Sequence, residues 1–172
     1  MNLNKNTQIE IDLVLERLGI TRSMCAECKL PPFQDSTQLI DAGLDMFGRP
    51  QQMTPGTFSG WQRLTAAADK AGITLQLVSA YRSFEYQCRL IQEKLDAGRS
   101  IEDILKVNAI PGHSEHHTGC AIDLHAGEGE PLDEHFDQNP AFGWLTQHAA
   151  QHNFYLSYPK NGTLGIAYEP WH

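Results

Sequence analysis

The sequence predicts an α+β fold in which a small, mainly antiparallel β-sheet is flanked by helices. Two neighbouring segments carry this prediction most clearly. In residues 57–71, Phe58, Trp61 and Leu64 recur at the spacing of one helix face, which indicates an amphipathic helix. Residues 73–79 alternate apolar and polar side chains, as a half-buried strand does.

The N-terminal third combines one helix with irregular segments. Residues 7–19 have a mostly one-sided apolar pattern that predicts a helix, and the glycine at position 19 is a helix-stop signal. Residues 20–37 contain two consecutive prolines and are predicted to form a loop. Residues 38–58 are so rich in glycine and proline that we expect a loop-rich excursion with one short strand.

The second half alternates predicted helices with short strands. Helices are predicted at residues 84–97, 100–107 and 140–152, the first two after the N-cap residues Ser83 and Ser100. Strands are predicted at residues 120–124, 154–158 and 164–168. The acidic, glycine-containing stretch 126–139 is predicted to be a solvated loop.

Length and composition indicate one soluble domain. The chain has 172 residues, of which 41% are hydrophobic and 20% charged, as in ordinary globular proteins. Its formal net charge of -8 argues against a nucleic-acid partner and against attraction to an anionic membrane surface. No apolar run is long enough to span a membrane.

The N-terminal residues bear on cellular location. The start, M-N-L-N-K-N-T, lacks the apolar core of a secretory signal, which predicts a cytoplasmic protein. A periplasmic or cell-envelope location is the alternative if the chain is a processed form.

Four cysteines are present, and two of them form a C-x-x-C pair, Cys25 and Cys28. Such a pair alone suggests half of a structural zinc site or a redox centre. No second pair completes four zinc ligands, and the surrounding segment is irregular, so a loop pair that is reduced or locally disulfide-bonded is favoured. Cys88 falls in a helical pattern and is interpreted as a small core residue.

One stretch concentrates metal-binding side chains, P-G-H-S-E-H-H-T-G-C-A-I-D-L at residues 111–124. It contains His116 and Asp123 with Gly119 between them, and a further pair, Glu169 and His172, follows at the end of the sequence. Two histidines, an aspartate and a nearby glutamate are the components of a catalytic zinc site, where three protein ligands leave one position for water. Zinc lowers the pKa of that water, and a carboxylate that is not a ligand can move its proton.

A second group of polar residues is predicted to bind the substrate. Arg82 follows the predicted strand and precedes the helix N-terminus at Ser83, a place where donors converge on an anion. A guanidinium matches a carboxylate with two parallel hydrogen bonds, so Arg82 is suited to the free C-terminal carboxylate of a peptide. Gln87, in the same helix, could face this pocket or the solvent.

The pattern S-x-H-x-x-G-x-A-x-D followed by E-x-W-H resembles the zinc peptidase family of VanY-like D-alanyl-D-alanine carboxypeptidases and related L,D-carboxypeptidases. Residues 79–87, S-A-Y-R-S-x-x-x-Q, resemble its substrate-binding segment. The resemblance implies a Zn²⁺ site in the sheet cleft, with ligands His116, Asp123 and His172. It also implies that Glu169 is the general base, and that the pocket residues are Tyr81, Arg82, Ser83, Gln87 and Ser114, with Arg82 also counted as catalytic. His113, His117 and His125 are left as neighbouring or surface residues.

The function implied is a zinc-dependent carboxypeptidase that removes a C-terminal D-alanine from peptidoglycan-type peptides, with D,D- or L,D-specificity. The expected partner is a peptidoglycan stem peptide or precursor, and the protein is expected to be a monomer. The alternatives are a D,D-dipeptidase, a peptidoglycan endopeptidase, or a non-catalytic zinc-containing binding module. Residues 1–56 are predicted to be an N-terminal helix and loop-rich extension, and residues 57–172 the catalytic core.

Overall fold

The computed structural model describes residues 5–172. The helices in that range are α1 (Lys5–Arg17), α2 (Arg22–Glu27), α3 (Pro55–Lys70), α4 (Phe84–Asp96), α5 (Ile101–Leu105) and α6 (Pro140–His148). The strands are β1 (Ile40–Leu44), β2 (Pro50–Met53), β3 (Leu75–Ser79) and β4 (Asp123–Ala126). Short 3₁₀ helices cover Glu115–Thr118, Glu134–Gln138 and Ala149–His152. Within this described part of the chain, no helix is both long and apolar enough to cross a membrane.

The α+β class is confirmed, and most predicted helices occur close to their predicted positions. The predictions for four segments were wrong in detail. The segment 20–37 contains helix α2, and the segment 38–58 contains two strands instead of one. The segments 154–158 and 164–168 are irregular, since their backbone hydrogen bonds run to scattered partners such as Ala149 and Lys106 and form no ladder.

The four strands form two antiparallel pairs, β1 with β2 and β3 with β4. The second pair places the functional segments. Ser79, the last residue of β3, lies opposite Asp123, the first residue of β4. Asp123 and the residues that follow β3 therefore lie at the same end of this small sheet.

Two hydrophobic clusters hold the elements together. The larger includes Leu64 from α3, Leu77 from β3, Leu124 from β4 and Ala141 from α6. The smaller lies where α1, α4 and α5 meet, around Ile91 and other apolar side chains. Cys25, Cys28 and Cys88 pack against this second cluster as free thiols, which confirms the packing interpretation of Cys88. The boundary at residue 56 between an extension and a catalytic core stays a prediction.

The β1–β2 hairpin supports the end of β3. The guanidinium of Arg49 donates to the carbonyl of Val78 at 2.9 Å. The Gln51 side chain accepts the Ala80 N–H at 3.0 Å, and the carbonyl of Gln52 accepts the Tyr81 N–H at 3.1 Å. These bonds fix the backbone that leads from β3 into Arg82.

Candidate active site

The segment between α5 and β4 delivers the first two candidate ligands. His116 lies in the 3₁₀ helix Glu115–Thr118, which ends at Gly119 in a left-handed conformation with φ 67°. Asp123 follows as the first residue of β4. Both side chains are almost completely buried, with His116 1% and Asp123 4% exposed.

The third candidate ligand reaches the same place through a tight turn. The N–H of His172 donates to the carbonyl of Glu169 at 3.1 Å, so Pro170 and Trp171 form the corner of a turn. The carbonyl of Trp171 accepts the Leu124 N–H at 2.9 Å, which pins this segment beside β4. The turn brings Glu169 and His172 to one site.

His116, Asp123 and His172 form a cluster that could hold one metal ion. One ligand atom from each lies within 4.8 Å of the others. The Nδ1 atom of His116 bonds to the carbonyl of Ala80, which leaves its Nε2 facing the cluster. That Nε2 is buried and lies 3.3 Å from Oδ2 of Asp123, but it makes no well-formed hydrogen bond with any described residue. A buried imidazole nitrogen without a partner fits a metal ligand, because an unsatisfied buried acceptor is otherwise costly.

Three carboxylates surround the His172 imidazole. Its Nδ1 lies 3.0 Å from Asp123 Oδ1 and 3.8 Å from Glu169 Oε2, and its Nε2 lies 3.0 Å from Glu115 Oε2. Burial alone would lower the pKa of His172, but the hydrogen bonds with Asp123 and Glu115 raise it to about 9. The other imidazole behaves differently, since burial lowers the pKa of His116 to about 4. The cluster is therefore rich in negative charge and favours a cation.

Glu169 borders the cluster as a free carboxylate. Its side chain is 13% exposed. Burial raises its pKa to about 7, although the neighbouring His172 acts in the opposite direction. A carboxylate whose pKa lies near neutral pH can both accept and donate a proton, which is the property of a general base and acid.

Arg82 lines a small cavity together with Glu169 and the imidazoles of His116 and His172. Its backbone N–H donates to the carbonyl of His116 at 3.2 Å, and its carbonyl accepts from Nδ1 of His117 at 2.6 Å. The buried Nε of its guanidinium has no partner among the described residues. The guanidinium lines this cavity together with the Glu169 carboxylate, but no described residue accepts a hydrogen bond from Nε, so this donor is available to a carboxylate ligand.

The remaining predicted pocket residues divide into two groups. Ser114 is buried and lines the small cavity together with Arg82, Glu169 and the two histidine ligands, while Tyr81 and Ser83 line an adjoining cleft of about 730 Å³. Ser83 also caps α4, as predicted, by accepting the Tyr86 N–H. Gln87 is only 1% exposed and donates to the carbonyl of Ala109 at 2.9 Å. Gln87 therefore supports Ala109, which lines the small cavity. A contact between Gln87 and a substrate stays a prediction.

Sequence reasoning missed three residues of the site. Glu115 contacts His172, and the ring of Tyr158 lies 4.6 Å from the His172 ring, centroid to centroid. His117, left as a neighbouring or surface residue, is fully buried and joins Arg82 to Gly112, whose N–H it accepts at 3.0 Å. The only available signal was that Glu115 and His117 flank His116 in the sequence. Their partners lie far along the chain, so spacing could not identify their contacts.

A buried two-histidine, one-aspartate cluster that opens on a cleft, next to a free carboxylate, is the arrangement of a catalytic metal centre in a hydrolase. Comparison with known proteins identifies the family. Residues 50–172 match the family model described as VanY, D-alanyl-D-alanine carboxypeptidase. The chain belongs to this family, and the resemblance inferred from the motifs is confirmed.

Individual relatives agree with this assignment. The chain is 35% identical over 111 residues to the putative carboxypeptidase YodJ of Bacillus subtilis, covering 62% of this chain and 40% of that protein. It is 33% identical over 125 residues to the bifunctional D-Ala-D-Ala dipeptidase and carboxypeptidase VanXYC of Enterococcus gallinarum, covering 70% and 65% respectively. Among solved structures, the LD-carboxypeptidase LdcB superposes with a TM-score of 0.72 and 28% identity, over 83% of this chain and 69% of that one. The chain thus spans 40 to 65% of the length of these two curated relatives.

Proposed function

We propose that this protein is a zinc-dependent carboxypeptidase that removes a C-terminal D-alanine from peptidoglycan-type peptides. One observation carries the proposal: Arg82, whose Nε has no hydrogen-bond partner among the described residues, shares a small cavity with Glu169 and with the imidazoles of His116 and His172. A cation that holds a terminal carboxylate beside a metal-binding cluster restricts hydrolysis to the last peptide bond of a substrate. The names of the relatives, which are D-Ala-D-Ala and LD-carboxypeptidases, support the choice of peptide.

The proposed metal ligands are His116 through Nε2, Asp123, and His172 through Nδ1. Bound zinc would lower the pKa of a water molecule and polarise the scissile carbonyl. His116 can offer Nε2 because its Nδ1 bonds to the carbonyl of Ala80. His172 can offer Nδ1 because its Nε2 bonds to Glu115.

Glu169 is the proposed general base. As a carboxylate it would take a proton from the attacking water and then transfer it to the nitrogen of the leaving D-alanine. Its burial keeps the proton affinity high enough for both steps, because burial raises its pKa to about 7. The turn through Pro170 holds this carboxylate 3.8 Å from Nδ1 of His172, next to the proposed zinc position.

Arg82 is proposed to bind the terminal carboxylate, and Ser114, Tyr81 and Ser83 to line the path of the peptide. The backbone of Arg82 is fixed on both sides by the adjacent residues His116 and His117. The segment that carries Arg82 is therefore hydrogen-bonded directly to the segment that carries the proposed ligand His116. This coupling holds their separation constant, which a carboxypeptidase requires for cutting one residue from the end.

Product analysis tests the proposal. Zinc-loaded protein is incubated with stem pentapeptide and stem tetrapeptide, and the products are identified by mass spectrometry beside a Glu169→Ala control. Loss of one D-alanine from the pentapeptide indicates D,D-carboxypeptidase activity, and loss from the tetrapeptide indicates L,D-activity. Release of a D-Ala-D-Ala dipeptide or internal cleavage would replace the proposal with the dipeptidase or endopeptidase. Zinc-bound protein without any product would indicate a non-catalytic binding module.

A further inference from the structure

The cleft next to the small cavity has a cationic wall. Its lining includes four basic residues, Arg49, Arg82, Arg89 and Lys94, but only two acidic ones, Asp123 and Glu169. The protein as a whole carries a formal net charge of -8. Positive charge is thus concentrated where the proposed substrate binds, against the balance of the whole molecule, and such a local field attracts anionic ligands.

Lys94 is the notable member of this group because it lies close to the catalytic residues. It belongs to a face of α4 on which Tyr86, Leu90 and Lys94 recur at four-residue spacing, and all three line the cleft. Asp123 and Glu169 line the same cleft, so Lys94 and these two residues of the proposed catalytic site border one space.

The Lys94 ammonium is held by a neutral partner. Its Nζ donates to Oδ1 of Asn108 at 2.8 Å. Asn108 is itself buried and fixed, since its Nδ2 donates to the carbonyl of Ile104 at 2.9 Å. Arg49, in contrast, is already paired with Asp45 at 2.7 Å. No ion pair of Lys94 occurs within the described residues, so its charge is oriented but not neutralised.

Partial burial makes the charged form of Lys94 less favourable, and a bound anion would offset this cost. Lys94 is half-buried, and burial lowers its pKa, with the nearby Arg99 and Arg82 acting in the same direction and Glu169 opposing them. A desolvated cation near other cations gains more from a carboxylate than an exposed lysine does. Its position in the last turn of α4 also satisfies the helix dipole, but an exposed lysine would do that equally well.

We infer that Lys94 binds a carboxylate of the peptide substrate, as a second anchoring cation in the cleft that also contains Arg82. This inference rests on the proposed function for the identity of the peptide. Two carboxylates can supply the ligand: the C-terminal one, shared with Arg82, or a second one further along the peptide. Both present the same chemistry to Nζ, and binding measurements with suitable peptides separate them.

The test is calorimetric titration of zinc-loaded protein with a non-hydrolysable analogue of N-acetyl-L-lysyl-D-alanyl-D-alanine, in which the last amide is reduced to a methyleneamine. Two further analogues carry an additional γ-linked D-glutamate. In one of them the α-carboxylate of this glutamate is free, and in the other it is amidated. The variants are Lys94→Met, Lys94→Gln and Lys94→Arg. The control is Lys70→Met, which removes the same charge from an exposed position on α3. Zinc content and thermal unfolding are recorded for each protein.

For Lys94→Met and Lys94→Gln we expect a dissociation constant about tenfold higher, as for loss of one charge-assisted hydrogen bond, while Lys94→Arg and Lys70→Met stay within about twofold of wild type. Equal weakening for all three analogues assigns Lys94 to the C-terminal carboxylate. Weakening confined to the free D-glutamate analogue assigns it to the second carboxylate.

The inference would be overturned if Lys94→Met and Lys94→Gln bound the analogues as tightly as Lys70→Met does. It would also be overturned if the wild-type protein bound none of the analogues. The inference and the proposed function fail separately. A protein that binds the analogues through Lys94 but releases no D-alanine from stem peptides contradicts only the proposed function. A protein that cleaves them while Lys94 makes no difference to binding contradicts only the inference.

Discussion

Nε2 of His172 lies 3.0 Å from Oε2 of Glu115, and this contact determines which imidazole nitrogen faces Asp123. With Nε2–H donated to Glu115, the Nδ1 atom points at Oδ1 of Asp123, 3.0 Å away. A carboxylate that accepts the second N–H of a histidine ligand fixes its tautomer and raises its basicity. Glu115 is therefore a positioning residue for the proposed zinc site.

The first prediction concerns Glu115. Glu115→Ala is expected to weaken zinc binding roughly 10- to 100-fold, because His172 loses the acceptor that orients it. Glu115→Gln keeps an acceptor oxygen and should weaken zinc less. Competition with a chromogenic chelator measures the affinity, and Glu128→Gln, in the exposed acidic loop, is the control. Unchanged zinc affinity in Glu115→Ala would show that His172 needs no such support.

The second prediction concerns Glu169. Glu169→Ala should keep stoichiometric zinc, since this residue is not a proposed ligand, and should lose roughly 10²- to 10⁴-fold in kcat, as expected for removal of a general base. Metal analysis and turnover of the cleaved stem peptide are measured on the same preparations. Glu130→Ala, on an exposed residue, should behave as wild type. An active Glu169→Ala protein would contradict the assignment of the base.

The third prediction concerns Arg82. Arg82→Gln should raise KM for a peptide with a free C-terminus about tenfold or more, because a charge-assisted contact to the carboxylate is lost. Arg82→Lys should recover only part of the loss, since an ammonium lacks the two parallel donors of a guanidinium. Arg63→Gln, at an exposed position of α3 outside the cleft lining, is the control. Binding of a C-terminally amidated peptide is measured in parallel, and an equal loss there would rule out recognition of the carboxylate.

The motif resemblance predicted the members of the candidate metal cluster, including His172, whereas the contacts of residues that the motifs leave unspecified could not be predicted. The spacing from His116 to Asp123 lies within one short segment, and the cluster in the structure unites these residues with His172. The contact of Glu115 with His172 joins positions 57 residues apart, and no periodicity reveals such a pairing.

The missed hairpin has a different cause. Its glycines were interpreted as loop breakers, yet Gly43 and Gly48 have φ values of 85° and 76° and lie at a register irregularity of the strand pair and in its turn. The strand-like sequences at residues 154–158 and 164–168 do not form strands in the structure, because β-propensity alone does not specify a pairing partner.

The fourth prediction concerns Gly119, which ends the 3₁₀ helix of His116. A Cβ atom here would lie 2.8 Å from Cδ2 of Leu39 and 3.3 Å from the backbone nitrogen of Thr54, at φ +67°. Gly119→Ala should therefore destabilise the protein by about 2–4 kcal/mol and weaken zinc binding. Gly98→Ala also has a positive φ, +86°, but its Cβ meets open space, so it should cost only about 1–2 kcal/mol. Urea unfolding gives both values, and equal losses would mean that the contact with Leu39 is relieved without cost.

The fifth prediction concerns Asp45, which organises the hairpin that supports the end of β3. Its Oδ1 accepts the N–H groups of Phe47 and Arg49, each at 2.9 Å, and its Oδ2 accepts from Arg49 at 2.7 Å and from Gln51 at 2.9 Å. Burial alone would raise the pKa of Asp45, but these hydrogen bonds and the Arg49 charge lower it. The folded state thus favours the ionised form.

A lowered pKa in the folded state fixes the direction of the pH effect. The stabilisation from Asp45 is fully present above its unfolded pKa, near 4, and is lost as pH falls through the lower folded value. At pH 7, Asp45→Asn should reduce the free energy of unfolding by about 2 kcal/mol, and this difference from wild type should shrink below about pH 4. Urea unfolding from pH 7 to pH 3 measures it, with the exposed Asp69→Asn as control. A difference that stays constant over this range would mean that Asp45 acts through hydrogen-bond geometry and not through its charge.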